Sequence, residues 1–295
     1  MERIDIYQNV TDTIIEAIEK GLQGGSSELP WHGACPLPQN AETGNAYRGV
    51  NIPVLWSCKV VRGYSSGIWA TYKQWSAMGA QVKTGSKGVQ AVRWISIEVQ
   101  PIDDNQEQET RMFPKYFTVF NADQVEGYEP PALEFEPEEI DVISKAILLI
   151  EESGAQIRHD ENEAFYDKKA DYINLPSPEY FKEANGGSAT ENYYGVAFHE
   201  LTHWTGAKHR LDRDHNGKYG SPDYAFEELI AELGAAMCCA VTGVEAVVRE
   251  DHAHYIQSWL TALKGDKKFI FAASSQAQKA VDYLYSSIPQ QQEAA

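Results

Sequence analysis

Apolar positions recur every three or four residues over residues 5–20, where Ile6, Val10, Ile14, Ala17 and Ile18 fall on one side. This spacing predicts an opening amphipathic helix that Gly21 stops. The following stretch is rich in Gly, Ser and Pro, with turn signals at Thr43-Gly44-Asn45 and Arg48-Gly49, and reads as loop. A short helix is expected over residues 72–78, ended by Gly79. Residues 89–99 alternate, with Ala91, Ile95 and Ile97 on one face and Val92 and Trp94 on the other, and residues 116–120 read as the partner strand. The acidic run 103–109 between them is expected to form a long hairpin tip. Residues 1–125 therefore look α+β.

Residues 126–138 (EGYEPPALEFEPE) hold three prolines and five glutamates with little periodicity, which fits a linker. A second domain is expected over residues 139–295. Its first helix, residues 137–153, has proline in the first turn, Ile140, Ile143, Ile147 and Ile150 on one stripe, and Gly154 as its stop. Short strands near 164–167 and 171–175 precede helices over 188–205, 224–241, 251–264 and 267–286. The expected fold is thus α+β in two domains, the second mainly helical with a small sheet.

Of the 295 residues, 43% are hydrophobic and 23% charged, which excludes a disordered or collagen-like chain. No window approaches the roughly 18 apolar residues that a membrane helix needs, and the N-terminus lacks the basic start and apolar stretch of a secretory signal. The four cysteines show no paired metal spacing, and Cys238 and Cys239 are adjacent, so no disulfide framework is expected. A cytoplasmic location, without membrane partners, follows as an expectation. Net charge is −18, but it is unevenly spread. Residues 29–97 carry seven basic residues against one acidic, a net +6 that leaves −24 for the remainder, and they hold five of the seven tryptophans.

The most specific motif is His199-Glu200-Leu201-Thr202-His203. On a helix, residues four apart share a face, so the two imidazoles can grip one divalent metal while Glu200 reaches its bound water as general base. A catalytic zinc site needs a third protein ligand. One candidate is His209, at the spacing in which Gly206 turns the chain back to the metal. The other lies in Phe226-Glu227-Glu228-Leu229-Ile230-Ala231-Glu232, where carboxylates in an otherwise apolar helix are costly unless they bind metal or a partner. Glu228 is favoured as ligand, with Glu232 accepting a hydrogen bond from a ligating histidine. Glu227 reads as an exposed helix charge. The expected cofactor is Zn2+, with Mn2+ or another divalent ion as alternatives. Two further expectations are that residues 171–175 form an edge strand that holds a peptide, and that His215 or Tyr219 stabilises an oxyanion.

Single-stranded nucleic acid is held by a positive groove combined with aromatic platforms, each stack contributing about 1–3 kcal/mol. Residues 31–94 interleave both ingredients, and the loop from Lys83 to Gly88 offers backbone amides for phosphate. At least half of these tryptophans are expected in the core. The preferred DNA-contacting pool is Trp31, Tyr47, Arg48, Tyr72, Lys73 and Trp75.

The ordered motifs Pro30-Trp31, Tyr47-Arg48-Gly49-Val50-Asn51, Gly63-Tyr64 and Trp69-Ala70-Thr71-Tyr72-Lys73-Gln74-Trp75 resemble the N-terminal domain of ArdC-type antirestriction proteins of conjugative plasmids, shared with some plasmid primases. The run from His199 to Gly206, Arg210-Leu211, and Tyr224-Ala225 through Glu227 to Gly234 resemble their zincin-like metallopeptidase domain. The resemblance implies a first domain that binds single-stranded DNA, a metal-carrying second domain, and a protein that shields incoming DNA from host restriction. It also supports glutamate over His209 as third ligand. A host protein, as peptidase substrate or restriction-system component, is the second implied partner. The alternative is a stand-alone metallopeptidase whose first domain recognises a protein substrate. Phosphodiester chemistry fits less well, because metal nucleases favour carboxylate-rich sites.

Overall fold

A computed structural model describes residues 5–24, 29–33, 36–99, 109–129, 139–184, 187–213, 221–246 and 253–288. Helix α1 (Ile6–Gln23) is capped by the Asp5 carboxylate, which accepts the Gln8 amide, and buries Val10, Ile14, Ala17 and Ile18. It runs through Gly21, the expected stop, to Gly24. One interior glycine costs only about 1 kcal/mol, less than the burial of this apolar stripe returns. Strand β1 (Gln39–Asn40), helix α2 (Asn51–Arg62), strand β2 (Ile68–Thr71), helix α3 (Tyr72–Ala77), strands β3 (Gln81–Val82), β4 (Val89–Val99), β5 (Glu109–Asn121) and β6 (Val125–Glu126) complete the first region. The pattern reading had no assignment for α2. Its Pro53 stands in the first turn, where no backbone N–H is needed, and Ile52, Val54, Leu55, Trp56 and Cys58 are buried.

A four-stranded sheet has the order β1-β2-β5-β4, with β1 parallel to β2 and the rest antiparallel. The β4–β5 ladder runs from Val89↔Val119 to Val99↔Glu109. At its base Val89, Ala91, Val92 and Val119 are buried, so both faces are covered. Farther out Trp94, Ile97, Met112, Phe113 and Tyr116 are exposed, because the ribbon extends past the layers it packs against. The two-faced alternation expected along the whole strand therefore does not separate a core face from a solvent face. The expected acidic tip lies outside the described residues, except for Glu109, and so does most of the linker.

The second region comprises α4 (Glu139–Ser153), β7 (Gln156–Arg158), β8 (Phe165–Asp167), β9 (Tyr172–Asn174), α5 (Ala189–Thr205), α6 (Pro222–Thr242), α7 (Ala253–Gly265) and α8 (Phe269–Ser286). Among the described side chains of α4, Ala146 and Leu149 are buried, Ile150 is half-buried against the core and Ile147 is exposed. The small sheet has the order β7-β9-β8. Strand β9 is central, parallel to β7 and antiparallel to β8, and both its edges are already paired. The expectation that residues 171–175 offer a free edge is thereby overturned; only β7 and β8 have an outer edge in this sheet.

Helix α5 starts with a reciprocal cap in which Ser188 accepts the Glu191 amide and Glu191 accepts the Ser188 amide. Helix α6 is apolar nearly all round and is buried from Glu227 to Cys239. The two helices cross closely at Gly234, where a β-carbon would lie 2.5 Å from the Thr202 methyl group. Thr202 is fully buried and its hydroxyl donates to the Phe198 carbonyl, so it has nowhere to move.

One apolar cluster joins both regions. Ile14, Leu29, Trp31, Trp56 and Trp69 belong to it together with Phe198, Leu229, Leu233, Trp259, Ile270 and Leu284. Ion pairs Arg48–Asp282, Lys264–Glu19 and Lys267–Asp5 lie across the same junction. A smaller cluster around Trp75, Ala70, Ala80 and Val125 seats α3 on the sheet. No helix among the described residues is long and apolar enough to cross a membrane. Cys58, Cys238 and Cys239 are buried free thiols.

Candidate metal centre

Four-residue spacing on α5 brings His199 and His203 onto one face, and the crossing at Gly234 sets Glu228 of α6 against them. His199 Nε2 and His203 Nε2 are 3.1 Å apart, His199 Nε2 and Glu228 Oε2 3.5 Å, and His203 Nε2 and Glu228 Oε1 3.6 Å. Bond lengths of about 2.0–2.1 Å and tetrahedral angles put ligand atoms roughly 3.3 Å apart; the two imidazole nitrogens are near that separation, and each has one of the two Glu228 oxygens within 3.6 Å. Two imidazoles and a carboxylate suit a small divalent ion. No other described group of three or more His, Cys, Asp or Glu side chains converges in this way. The arrangement could hold one divalent ion.

Burial pushes the Glu228 carboxyl upward, but the hydrogen bond to His199, the nearby His203 and the Tyr224 hydroxyl outweigh it and bring it down to about 2. Tyr224 stands one turn before Glu228 on the same helix, and its hydroxyl is pushed far above the ordinary value by burial and by its hydrogen bonds to Tyr255 and Glu228. It therefore stays protonated and donates to the Glu228 carboxylate. Glu200 is buried on the same turn of α5.

Each histidine is backed by a second carboxylate. Glu232 Oε2 is 3.8 Å from His199 Nδ1, and Glu227 Oε1 is 3.1 Å from His203 Nδ1. Glu227 is buried, not the exposed charge that its place beside Glu228 suggested. Arg213 explains why: its Nε and Nη2 donate to both Glu227 oxygens at 3.2 and 3.0 Å, and its Nη1 donates to the Thr205 hydroxyl at 2.8 Å. A buried carboxylate with a bidentate guanidinium is satisfied in a way a solitary one is not. Nothing in the local pattern marked Arg213, which lies ten residues beyond the motif.

His209 is elsewhere. Its side chain is about two-thirds exposed and pairs with Asp171 at 3.2 Å, so the extended three-histidine spacing is not used here. Gly206 caps α5 in ordinary right-handed conformation, and Arg210 then folds back over the Trp204 ring at 3.7 Å. Arg210 also grips Asp171 through two hydrogen bonds of 3.0 and 2.5 Å, and Tyr166 donates to the same carboxylate. The Asp171 carboxyl is lowered to about 2, chiefly by the Arg210 hydrogen bonds. This clamp ties the chain after α5 to the small sheet and carries His209 away. His215 and Tyr219 lie outside the described residues.

The DNA-contacting pool divides sharply. Trp31 and Trp75 are buried in the core, and Tyr47 is buried with its hydroxyl against the Trp69 carbonyl, so these three present no ring face to a base. Tyr72 and Lys73 are exposed, and Arg48 is exposed while paired to Asp282. Besides Tyr72, exposed aromatic rings lie on the β4–β5 ribbon, at Trp94, Phe113 and Tyr116. The Lys83 ammonium is turned to the Asp123 carbonyl.

Two family models match different parts of the chain. Residues 4–120 match the family described as the N-terminal domain of anti-restriction factor ArdC, and residues 144–276 match a zincin-like metallopeptidase family. The chain is 41% identical to the protein y4eC of Sinorhizobium fredii, over 96% of this chain and 92% of that one. It is 35% identical to a DNA primase TraC of Escherichia coli, but spans only 27% of that protein. Crystal structures of the antirestriction protein ArdC from plasmid R388, one metal-free and one with Mn(II) bound, superpose with TM-scores of 0.77 and 0.75. Both are 36% identical to this chain, over 98% of its length and all of theirs. The chain belongs to the ArdC antirestriction protein family.

Proposed function

We propose that this protein is a plasmid-type antirestriction factor in which a single-stranded-DNA-binding region, residues 1–125, and a zinc-dependent peptidase-type region, residues 139–295, joined by residues 126–138, protect incoming DNA in the cytoplasm. The observation that carries the catalytic half is the convergence of His199, His203 and Glu228 at 3.1–3.6 Å, with a second carboxylate behind each imidazole. These three would hold the ion. Bound zinc supplies a water whose pKa is lowered to about 7. Glu200 would serve as the general base and then as proton donor to the leaving amine. Glu232 and Glu227 orient the imidazoles, and the Tyr224 hydroxyl steadies the Glu228 carboxylate. A host protein is the substrate class that this chemistry fits.

On the DNA side, Arg48, Tyr72 and Lys73 remain available, and Trp94 joins them. Arg48 and Trp94 line one cleft of about 340 Å³ between the first region and α8, together with Lys279. A stacking face beside two cations is the arrangement that single strands use. A second reading is favoured by the burial of Trp31, Tyr47 and Trp75: the first region recognises a protein. Salt separates the two. Titrating a fluorescent oligonucleotide against the full-length protein should give a negative log–log salt slope and a preference for single strands over duplex, whereas absence of binding transfers the first region to protein recognition. For the catalytic half, Glu200→Gln should keep the metal and lose cleavage of any host protein that the wild type cuts.

A further inference from the structure

Glu232 is held from the other side by the first region. Its Oε1 accepts the His32 Nε2 at 2.8 Å and the Trp31 Nε1–H at 3.3 Å, and the side chains of His32 and Glu232 are each only 4% exposed. The His32 tautomer follows from the backbone. Its Nδ1 accepts the Leu29 amide at 2.9 Å, so that nitrogen carries no proton, and Nε2–H is the donor to Glu232. The turn that carries both residues is fastened at each end: the His32 amide donates to the Leu29 carbonyl, and Gly33 forms a bridge with Ala246 just beyond α6. Gly33 reaches that bridge with φ +84°, a conformation suited to glycine.

We propose that His32, although more than 160 residues before the metal motif, is a positioning residue of the metal centre. With Oε1 saturated by two donors from the first region, Glu232 keeps Oε2 toward His199 Nδ1, 3.8 Å away, and so directs His199 Nε2 to the ion. A buried carboxylate without those donors would turn away, and the imidazole would lose the negative charge held beside its Nδ1. The metal centre thus spans both regions of the chain. This inference rests on the reading of His199, His203 and Glu228 as ligands.

The test is metal affinity of the full-length protein, read as free Mn2+ by electron paramagnetic resonance during titration. His32→Leu should weaken Mn2+ binding by about 10-fold or more, within the roughly 10–100-fold range for such partners. His32→Gln, whose amide can donate to Glu232 and accept from Leu29, should recover most of it. The melting temperatures of the metal-free Leu and Gln variants should be similar. Unchanged affinity in His32→Leu, or equal losses in the Leu and Gln variants, would overturn the proposal. If His32→Leu does not fold, Trp31→Phe serves instead: it removes one donor and keeps the packing, and should weaken Mn2+ measurably, whereas unchanged affinity would contradict the proposal. His203→Ala separates the two claims. If it binds Mn2+ like wild type, the ligand assignment has failed, and not merely the role of His32.

Discussion

The metal centre and the aromatic, basic region differ in how much their sequences say about geometry. Two histidines four apart on a helix have a fixed relation in space, so the spacing itself states that one ion can touch both. Eight aromatic residues interleaved with seven cations state only a composition. Their faces depend on which layer each element packs against, and Trp31, Trp56, Trp69 and Trp75 are core while Trp94 is not. Motif spacing carries geometry; composition carries a budget of side chains whose placement tertiary packing decides.

The contrast can be broken most forcefully at Glu200. Glu200→Gln should reduce cleavage of an identified host substrate by about 10²–10⁴-fold, the usual contribution of a general base, while metal content stays at wild-type level. Retained cleavage would remove Glu200 from the general-base role.

Next in size is a pair of tryptophans. Trp75→Ala should lower unfolding free energy by about 3–5 kcal/mol, because the indole is fully buried and its Nε1–H is bonded to the Phe120 carbonyl. Trp94→Ala should leave the melting temperature nearly unchanged and weaken oligonucleotide binding by about 1–3 kcal/mol. Denaturant melts and binding isotherms on both variants decide it, and the opposite assignment of effects would mean that the exposed ribbon is not the stacking surface.

The smallest effect is a pH dependence at the clamp beyond α5. Asp171 titrates near 2 when folded, below its unfolded value of 3.8, so its pairing with Arg210 stabilises the fold fully above about pH 4. That contribution is lost as the pH falls toward 2. Its side chain is about one-third exposed, and after discounting for solvent screening the loss is about 1 kcal/mol. Melts of wild type and Asp171→Asn should therefore converge at acid pH. A difference that persists at pH 2 would contradict the pairing as its source.

Much of the second region was legible from pattern because its helices are long, largely apolar runs with clear caps at Ser188, Ser221 and Gly243. Helix α2 was not, since Asn51-Ile52-Pro53-Val54 mixes a proline with β-branched residues and looks like a poor start. The central place of β9 was equally hidden, because three-residue strands carry no register of their own. Glu228 was readable as a carboxylate in an apolar helix. Glu227 was misread for lack of Arg213, and His32 could not be found at all, because a long-range contact between a loop and a distant helix leaves no period in the chain.

The central claim is that one divalent ion is held by His199, His203 and Glu228, and metal stoichiometry tests it most directly. Wild-type protein equilibrated with Zn2+ or Mn2+ and freed of loose ions should retain one equivalent. His199→Ala, His203→Ala and Glu228→Ala should each retain almost none, while His209→Ala keeps it. A folded Glu228→Ala protein that still binds a full equivalent, or loss of the metal in His209→Ala, would contradict the account.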